Sequence, residues 1–328
     1  MSWRKKTLFA FGALVAIVIL GLGVFWGVKK QWDAHYLDGY DPEAPLQSTN
    51  ETPEKREGYL RIAFQFDGLP GEGVPSLLAL PLEGEGAFPC CIFLHGIGQE
   101  KEFLDEIALP FVENGFALVS FDQYTRGERR QKGLGPLGQL KALYRRGSLT
   151  VVETRRLIDY LESRDDIDSG RVYMCGASYG AMTGCTASAL DQRIKATVLC
   201  YGGGDLKELL NNQAALDMIA EEPKGNWILL AVKLTRPLFA WLFRVFDPCL
   251  YVGGISPRPV FFQNGTHDVL IPTGAAKAFH AAAKAPKEIL WYDSDHVGMD
   301  RKHTEKVLYD AISWLEEQDS KSEERELE

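Results

Sequence analysis

The chain has 328 residues, a length that allows one large α/β domain with insertions or two smaller domains. With 45% hydrophobic and 25% charged residues the composition is globular, which excludes a disordered chain, a collagen-like repeat and a multi-span membrane protein. A formal charge of −9, with basic clusters only at the N-terminus and at Arg145-Arg146, leaves no footprint for nucleic acid.

In chain order, residues 1–6 form a basic flank through Arg4, Lys5 and Lys6, and residues 7–28 follow without a single charge. A helix of that length rises roughly 33 Å, enough for a hydrocarbon core of about 30 Å, whereas a cleaved signal has an apolar stretch of only about 7 to 15 residues. The pattern predicts a retained transmembrane signal anchor over 7–28, with the lipid bilayer as its partner. Three basic residues before it and two after it place the N-terminus in the cytoplasm and the bulk of the chain outside, in the periplasm or beyond the cell. Residues 29–57, with Pro42, Pro45 and Pro53, read as a polar linker.

The folded body is expected over 58–317. Apolar runs predict eight strands, at 59–66, 76–81, 90–94, 117–121, 172–175, 196–200, 259–263 and 288–292. Helical patterns fit 103–113, 148–164, 179–190, 274–283 and 304–317. Strands alternating with helices imply a mostly parallel sheet covered on both faces. About 58 residues separate the strands at 196–200 and 259–263, far more than an ordinary αβ connection of roughly 2 to 6, so a small helical cap is expected at about 203–257. Within it residues 227–246 are largely apolar and broken by Pro237; they form either a lid or acyl pocket, or a pair of helices packed on the body. Residues 318–328 form an acidic tail. The six cysteines show no CxxC pair and no zinc-like spacing, so neither a disulfide framework nor a metal site is expected.

The most informative stretch is Val172 to Gly180, an apolar strand running into Gly176-Ala177-Ser178-Tyr179-Gly180 and then a helix. A serine nucleophile needs a sharp, strained strand-to-helix turn, and side chains at Gly176 or Gly180 would collide with the neighbouring helix and strand. The helix N-terminus beside Ser178 also favours developing negative charge. A base and an orienting acid are available downstream. Asp268 follows the strand at 259–263 and His296 follows the strand at 288–292, so Ser178, Asp268 and His296 converge on the carboxyl edge of the sheet. His267 is the rival base, and Asp205, Asp293 and Asp295 are the rival acids. The strand at 90–94 runs into His95-Gly96-Ile97-Gly98, whose turn can present the Ile97 N–H opposite that of Tyr179 to form an oxyanion hole.

On these residues the chain resembles the α/β-hydrolase superfamily. The resemblance rests on His-Gly-Ile-Gly at 95–98, Gly-Ala-Ser-Tyr-Gly at 176–180, Gly-Thr-His-Asp at 265–268 and Asp-His at 295–296. Within the superfamily it is similar to the dienelactone-hydrolase-like or acetyl-esterase branch, through the loop from Asp122 to Gly127 and Arg129. Dienelactone hydrolases proper carry Cys at the elbow where this chain has Ser178, a departure that favours ester hydrolysis over lactone opening. The resemblance implies an α/β-hydrolase fold for the body that follows the expected transmembrane helix, and a serine hydrolase acting on a small-molecule carboxylic ester without metal or organic cofactor. A prolyl-oligopeptidase-like peptidase and a non-catalytic binding protein of the same fold are the alternatives; the oligomeric state is left open.

Overall fold

The computed structural model describes residues 3–46, 48–50, 53–84, 86–219, 230, 233–298 and 300–327. Two compact units are present, Met1–Asp38 and Gly39–Glu328.

The first unit contains one helix, α1 (Trp3–Ala34). It overturns the transmembrane expectation: among the described residues no helix is long and apolar enough to cross a membrane. The first part of the expected anchor, 7–18, lies outside the residues whose side chains are described. The described apolar run, 19–28, rises only about 15 Å, and the helix then continues through Lys29, Lys30 and Asp33, with Lys29 paired to Asp33.

The second unit is an α/β sandwich around one sheet. Its strands are β1 (Ser48–Asn50), β2 (Glu54–Lys55), β3 (Tyr59–Leu69), β4 (Glu72–Pro81), β5 (Phe88–Leu94), β6 (Ala117–Phe121), β7 (Ile167–Ala177), β8 (Ile194–Cys200), β9 (Val260–Gly265) and β10 (Lys287–Tyr292). The helices are α2 (Leu104–Glu113), α3 (Pro136–Glu162), α4 (Tyr179–Leu190), α5 (Leu206–Asn211), α6 (Gln213–Ile219), α7 (Arg236–Leu242), α8 (Thr273–Ala282) and α9 (Arg301–Leu327). The strand order is β1-β3-β4-β6-β5-β7-β8-β9-β10, with β2 also on β3. From β6 through β10 every pairing is parallel, and β3 and β4 form an antiparallel flank.

The central strands are continuous apolar runs because both their faces are covered. On one face α2 and α9 contribute Leu104, Phe111, Ile312 and Leu315 to a core with Cys91, Tyr173 and Val198. On the other, α4 and α8 supply Ala181, Cys185 and Phe279 against Leu199 and Phe262.

All eight expected strands form, but the sheet has ten. The open edge of β3 takes up β1 and β2 in antiparallel register, Ser48 opposite Phe66 and Glu54 opposite Arg61. Two and three polar residues carry no periodicity, so these strands exist only because β3 offers unpaired backbone groups. The stretch expected as a linker is thus partly built into the sheet. Residues Asp41, Ala44 and Pro45 also give their carbonyls to the Arg156 guanidinium. At the other end the acidic tail continues α9 to Leu327, and Asp319 accepts hydrogen bonds from Arg171 Nε (2.8 Å) and the Tyr173 hydroxyl (2.6 Å).

Candidate active site

Ser178 stands between β7 and α4 with φ 57° and ψ −115°, a conformation that a residue with a side chain adopts only when its surroundings impose it. The surroundings here are steric. A Cβ built on Gly176 would lie 2.3 Å from the carbonyl oxygen of Gly180, and one on Gly180 would lie 1.8 Å from that of Leu94 at the end of β5. The two glycines let helix, elbow and neighbouring strand approach at backbone contact. The Ser178 N–H donates to the Cys200 carbonyl (2.8 Å), which ties the elbow to the end of β8.

Asp268 and His296 are brought together. Asp268 Oδ2 lies 2.7 Å from His296 Nδ1, and both side chains are buried, at 1% and 7% exposure. The second carboxylate oxygen of Asp268 accepts from the N–H groups of Leu270 (2.8 Å) and Ile271 (2.9 Å), so the carboxylate is oriented at both ends. Among the described residues no hydrogen bond joins Ser178 to His296.

The loops after β9 and β10 are stitched to each other. Thr266 N–H donates to the Tyr292 carbonyl and His267 N–H to that of Ser294. Asp295 Oδ1 accepts from Val269 N–H (3.0 Å) in one loop and His296 N–H (2.7 Å) in the other. These bonds hold the Asp295 carboxyl below the usual carboxylate range. The loops approach so closely that a Cβ on Gly265 would lie 2.5 Å from the Ser294 carbonyl oxygen.

The rival residues have other partners. His267 pairs with Asp293 (2.8 Å) on the surface, at 71% and 92% exposure. Asp205 caps α5 by accepting from Lys207 N–H. His95 is fully buried, and burial pushes its imidazole down to about 4. His280 is likewise pushed down to about 4 by burial, then by Lys287, while its Nε2 meets Asn264 Oδ1 (2.8 Å).

The loop after β5 reaches the elbow: a Cβ on Gly96 would lie 3.7 Å from that of Ser178. Gly96 N–H is taken by Gln99 Oε1 (2.9 Å), so Ile97 is the next donor in the turn. Tyr179 opens α4 and its N–H is among those at a helix start with no intrahelical acceptor. The loop after β6 is rigid for a different reason. Asp122, fully buried, accepts from Lys101 N–H and Nζ and from Glu128 N–H, each at 3.0 Å. Gly127, at φ +48°, has no room for a Cβ, which would fall 2.1 Å from Asp122 Oδ1. Arg129 forms a two-pronged pair with buried Glu153 (2.7 and 2.8 Å).

Part of the expected cap lies outside the described residues, namely 220–229 and 231–232. Its described remainder packs on the body: Ala240 and Phe243 are buried with Leu206, Leu209 and Met182, and Phe246 stacks on the Tyr179 ring (5.6 Å, 20°). Sequence reasoning missed Tyr201, whose fully buried ring stands edge-on to His296 (5.6 Å, 85°). Asp295, expected only as a rival acid, instead accepts from the backbone of both loops.

The sequence profile of the acetyl xylan esterase (AXE1) family matches residues 32–202, just over half of the chain and including the Ser178 elbow. A Bacillus subtilis (strain 168) protein named "Putative esterase YitV" is 25% identical over 260 residues, covering 77% of this chain and 98% of its own. Among solved structures, the acetyl xylan esterase from Paenibacillus sp. R4 superposes with TM-score 0.64 at 19% identity. Acetyl xylan esterase 1 from Thermoanaerobacterium sp. JW/SL YS485 does so with 0.63 at 19%. Each covers 88% of this chain and 93% of its own, a likeness of fold.

Proposed function

Because the chain belongs to the acetyl xylan esterase (AXE1) family and is a carboxylesterase-type serine hydrolase, we propose that it cleaves acetyl and other short acyl esters through Ser178, His296 and Asp268. The observation that carries this reading is the buried Asp268–His296 pair at 2.7 Å. It lies on the sheet edge that also bears the strained Ser178. In the proposed course, Ser178 Oγ attacks the acyl carbonyl as His296 Nε2 takes its proton, and Asp268 holds Nδ1–H so that Nε2 faces the serine. The tetrahedral oxyanion is met by the N–H groups of Tyr179 and Ile97, each such donor being worth about 3 to 4 kcal/mol in comparable enzymes. Collapse expels the alcohol with the proton from His296. Water, deprotonated by the same imidazole, then displaces the acyl group from Ser178.

Phe246 of the cap stacks on the ring of Tyr179, the residue after the nucleophile, and we take this aromatic pair to bound the acyl site and to favour a short acyl group. The names of the relatives point the same way. The test is turnover of p-nitrophenyl acetate by purified wild type, Ser178→Ala, His296→Ala and Asp268→Asn. The reading expects losses of about 10⁶-fold for the first two and about 10⁴-fold for the third. Retained turnover in a folded Ser178→Ala protein would refute it.

A further inference from the structure

We propose that Tyr201 is a positioning residue for the base, a role that rests on the reading of Ser178, His296 and Asp268 given above. Four non-glycine residues among those described have positive φ: Thr125, Ser178, Tyr201 and Asp205. An aromatic side chain at φ 52° is an outlier that persists only where several contacts over-determine it, and such strain gathers at sites of function. The contacts are visible. Tyr201 N–H donates to the Gln263 carbonyl (2.6 Å), its ring lies parallel to that of Tyr292 (6.3 Å, 11°), and its hydroxyl meets Ser294 Oγ (2.8 Å) and His303 Nε2.

The direction of these contacts gives the role. Ser294 lies two residues before His296 and gives its carbonyl to His267 N–H, so the Tyr201 hydroxyl anchors the loop that carries the base. The ring meanwhile stands edge-on to the imidazole itself. The Asp268 bond fixes which nitrogen of His296 carries the proton, but one hydrogen bond leaves the ring free to tilt about it, and the wall of Tyr201 removes that freedom. The preceding residue, Cys200, accepts the Ser178 N–H. Two consecutive residues at the end of β8 therefore tie the nucleophile's backbone to the base's ring, and the backbone strain at Tyr201 is what turns its side chain toward His296 while Cys200 remains in the strand.

The experiment uses the full chain carrying Tyr201→Leu, Tyr201→Phe or His303→Leu, with Ser178→Ala and His296→Ala beside them. kcat and KM for p-nitrophenyl acetate are referred to active sites titrated with a fluorophosphonate, and the thermal midpoint is recorded. Misplacement by about 1 Å costs on the order of 100-fold. Tyr201→Leu is therefore expected to lose about that factor in kcat per titrated site, with KM within about twofold. Tyr201→Phe, which keeps the ring and drops the anchor, and His303→Leu should each lose about 3- to 10-fold. A Tyr201→Leu protein with wild-type kcat per site overturns the proposal, whatever its thermal midpoint. If that variant does not fold, an unimpaired Tyr201→Phe overturns it instead. Activity surviving in Ser178→Ala or His296→Ala would mark the failure of the underlying reading, which dead controls beside an unimpaired Tyr201 variant would not.

Discussion

At the scale of single residues, the site is defined as much by missing side chains as by present ones. Gly180→Ala sets a methyl against a backbone carbonyl that cannot rotate away, so we expect a loss on the order of 3 to 4 kcal/mol, read as a fall in the thermal midpoint or in folded yield. Asp295 offers a sharper contrast with its neighbour. Asp295→Ala frees one backbone donor in each of the two loops and is expected to lower kcat about tenfold, whereas Asp293→Ala, at the exposed His267 pair, should leave kcat unchanged. Equal effects of the two would show that Asp295 does not hold the loops. The elbow was legible in the sequence because its steric demand is local, two glycines flanking one serine. Asp295 and Tyr201 were not legible. Their partners lie one strand away, and only the parallel register of β8, β9 and β10 reveals them.

At the scale of elements, the cap packs on the ring of Tyr179 beside the elbow, and the loop after β6 is held by buried charge pairs. Phe246→Ala removes the ring stacked on Tyr179, and the ratio of p-nitrophenyl octanoate to acetate turnover is expected to rise about tenfold. An unchanged ratio would place the acyl group elsewhere. Lys101 is the counter-charge of the fully buried Asp122, so Lys101→Met is expected to destabilise the fold by about 3 kcal/mol in urea unfolding. The strands β3 to β10 were readable from apolar runs because burial on both faces demands such runs. The strands β1 and β2 were not, since edge pairing asks nothing of their side chains. The anchor failed for a related reason: an uncharged run in sequence does not reveal where its helix ends, and the described part of α1 carries straight on into Lys29, Lys30 and Asp33.

At the scale of the whole molecule, two buried histidines contribute to the response to acid. An unfolded imidazole titrates near 6.5, while burial pushes His95 and His280 down to about 4 in the fold. Between these values the unfolded chain binds the extra protons, so stability falls as pH drops from about 6.5 to about 4 and owes nothing to either group above that window. Each contributes a loss on the order of 3 kcal/mol across the window. Urea unfolding at pH 7 and pH 5 captures about 2 kcal/mol of each loss, and at pH 5 His280→Gln, which can still donate to Asn264, should reduce the proton uptake on unfolding by about one. An unaltered pH slope would contradict the assignment.

Catalysis through a covalent acyl intermediate on Ser178 is tested by mass spectrometry of protein treated with a fluorophosphonate. One adduct per chain is expected, on the peptide containing Ser178, absent from Ser178→Ala and formed far more slowly by His296→Ala. An adduct on any other residue, or no adduct on a folded protein that still hydrolyses esters, would contradict it.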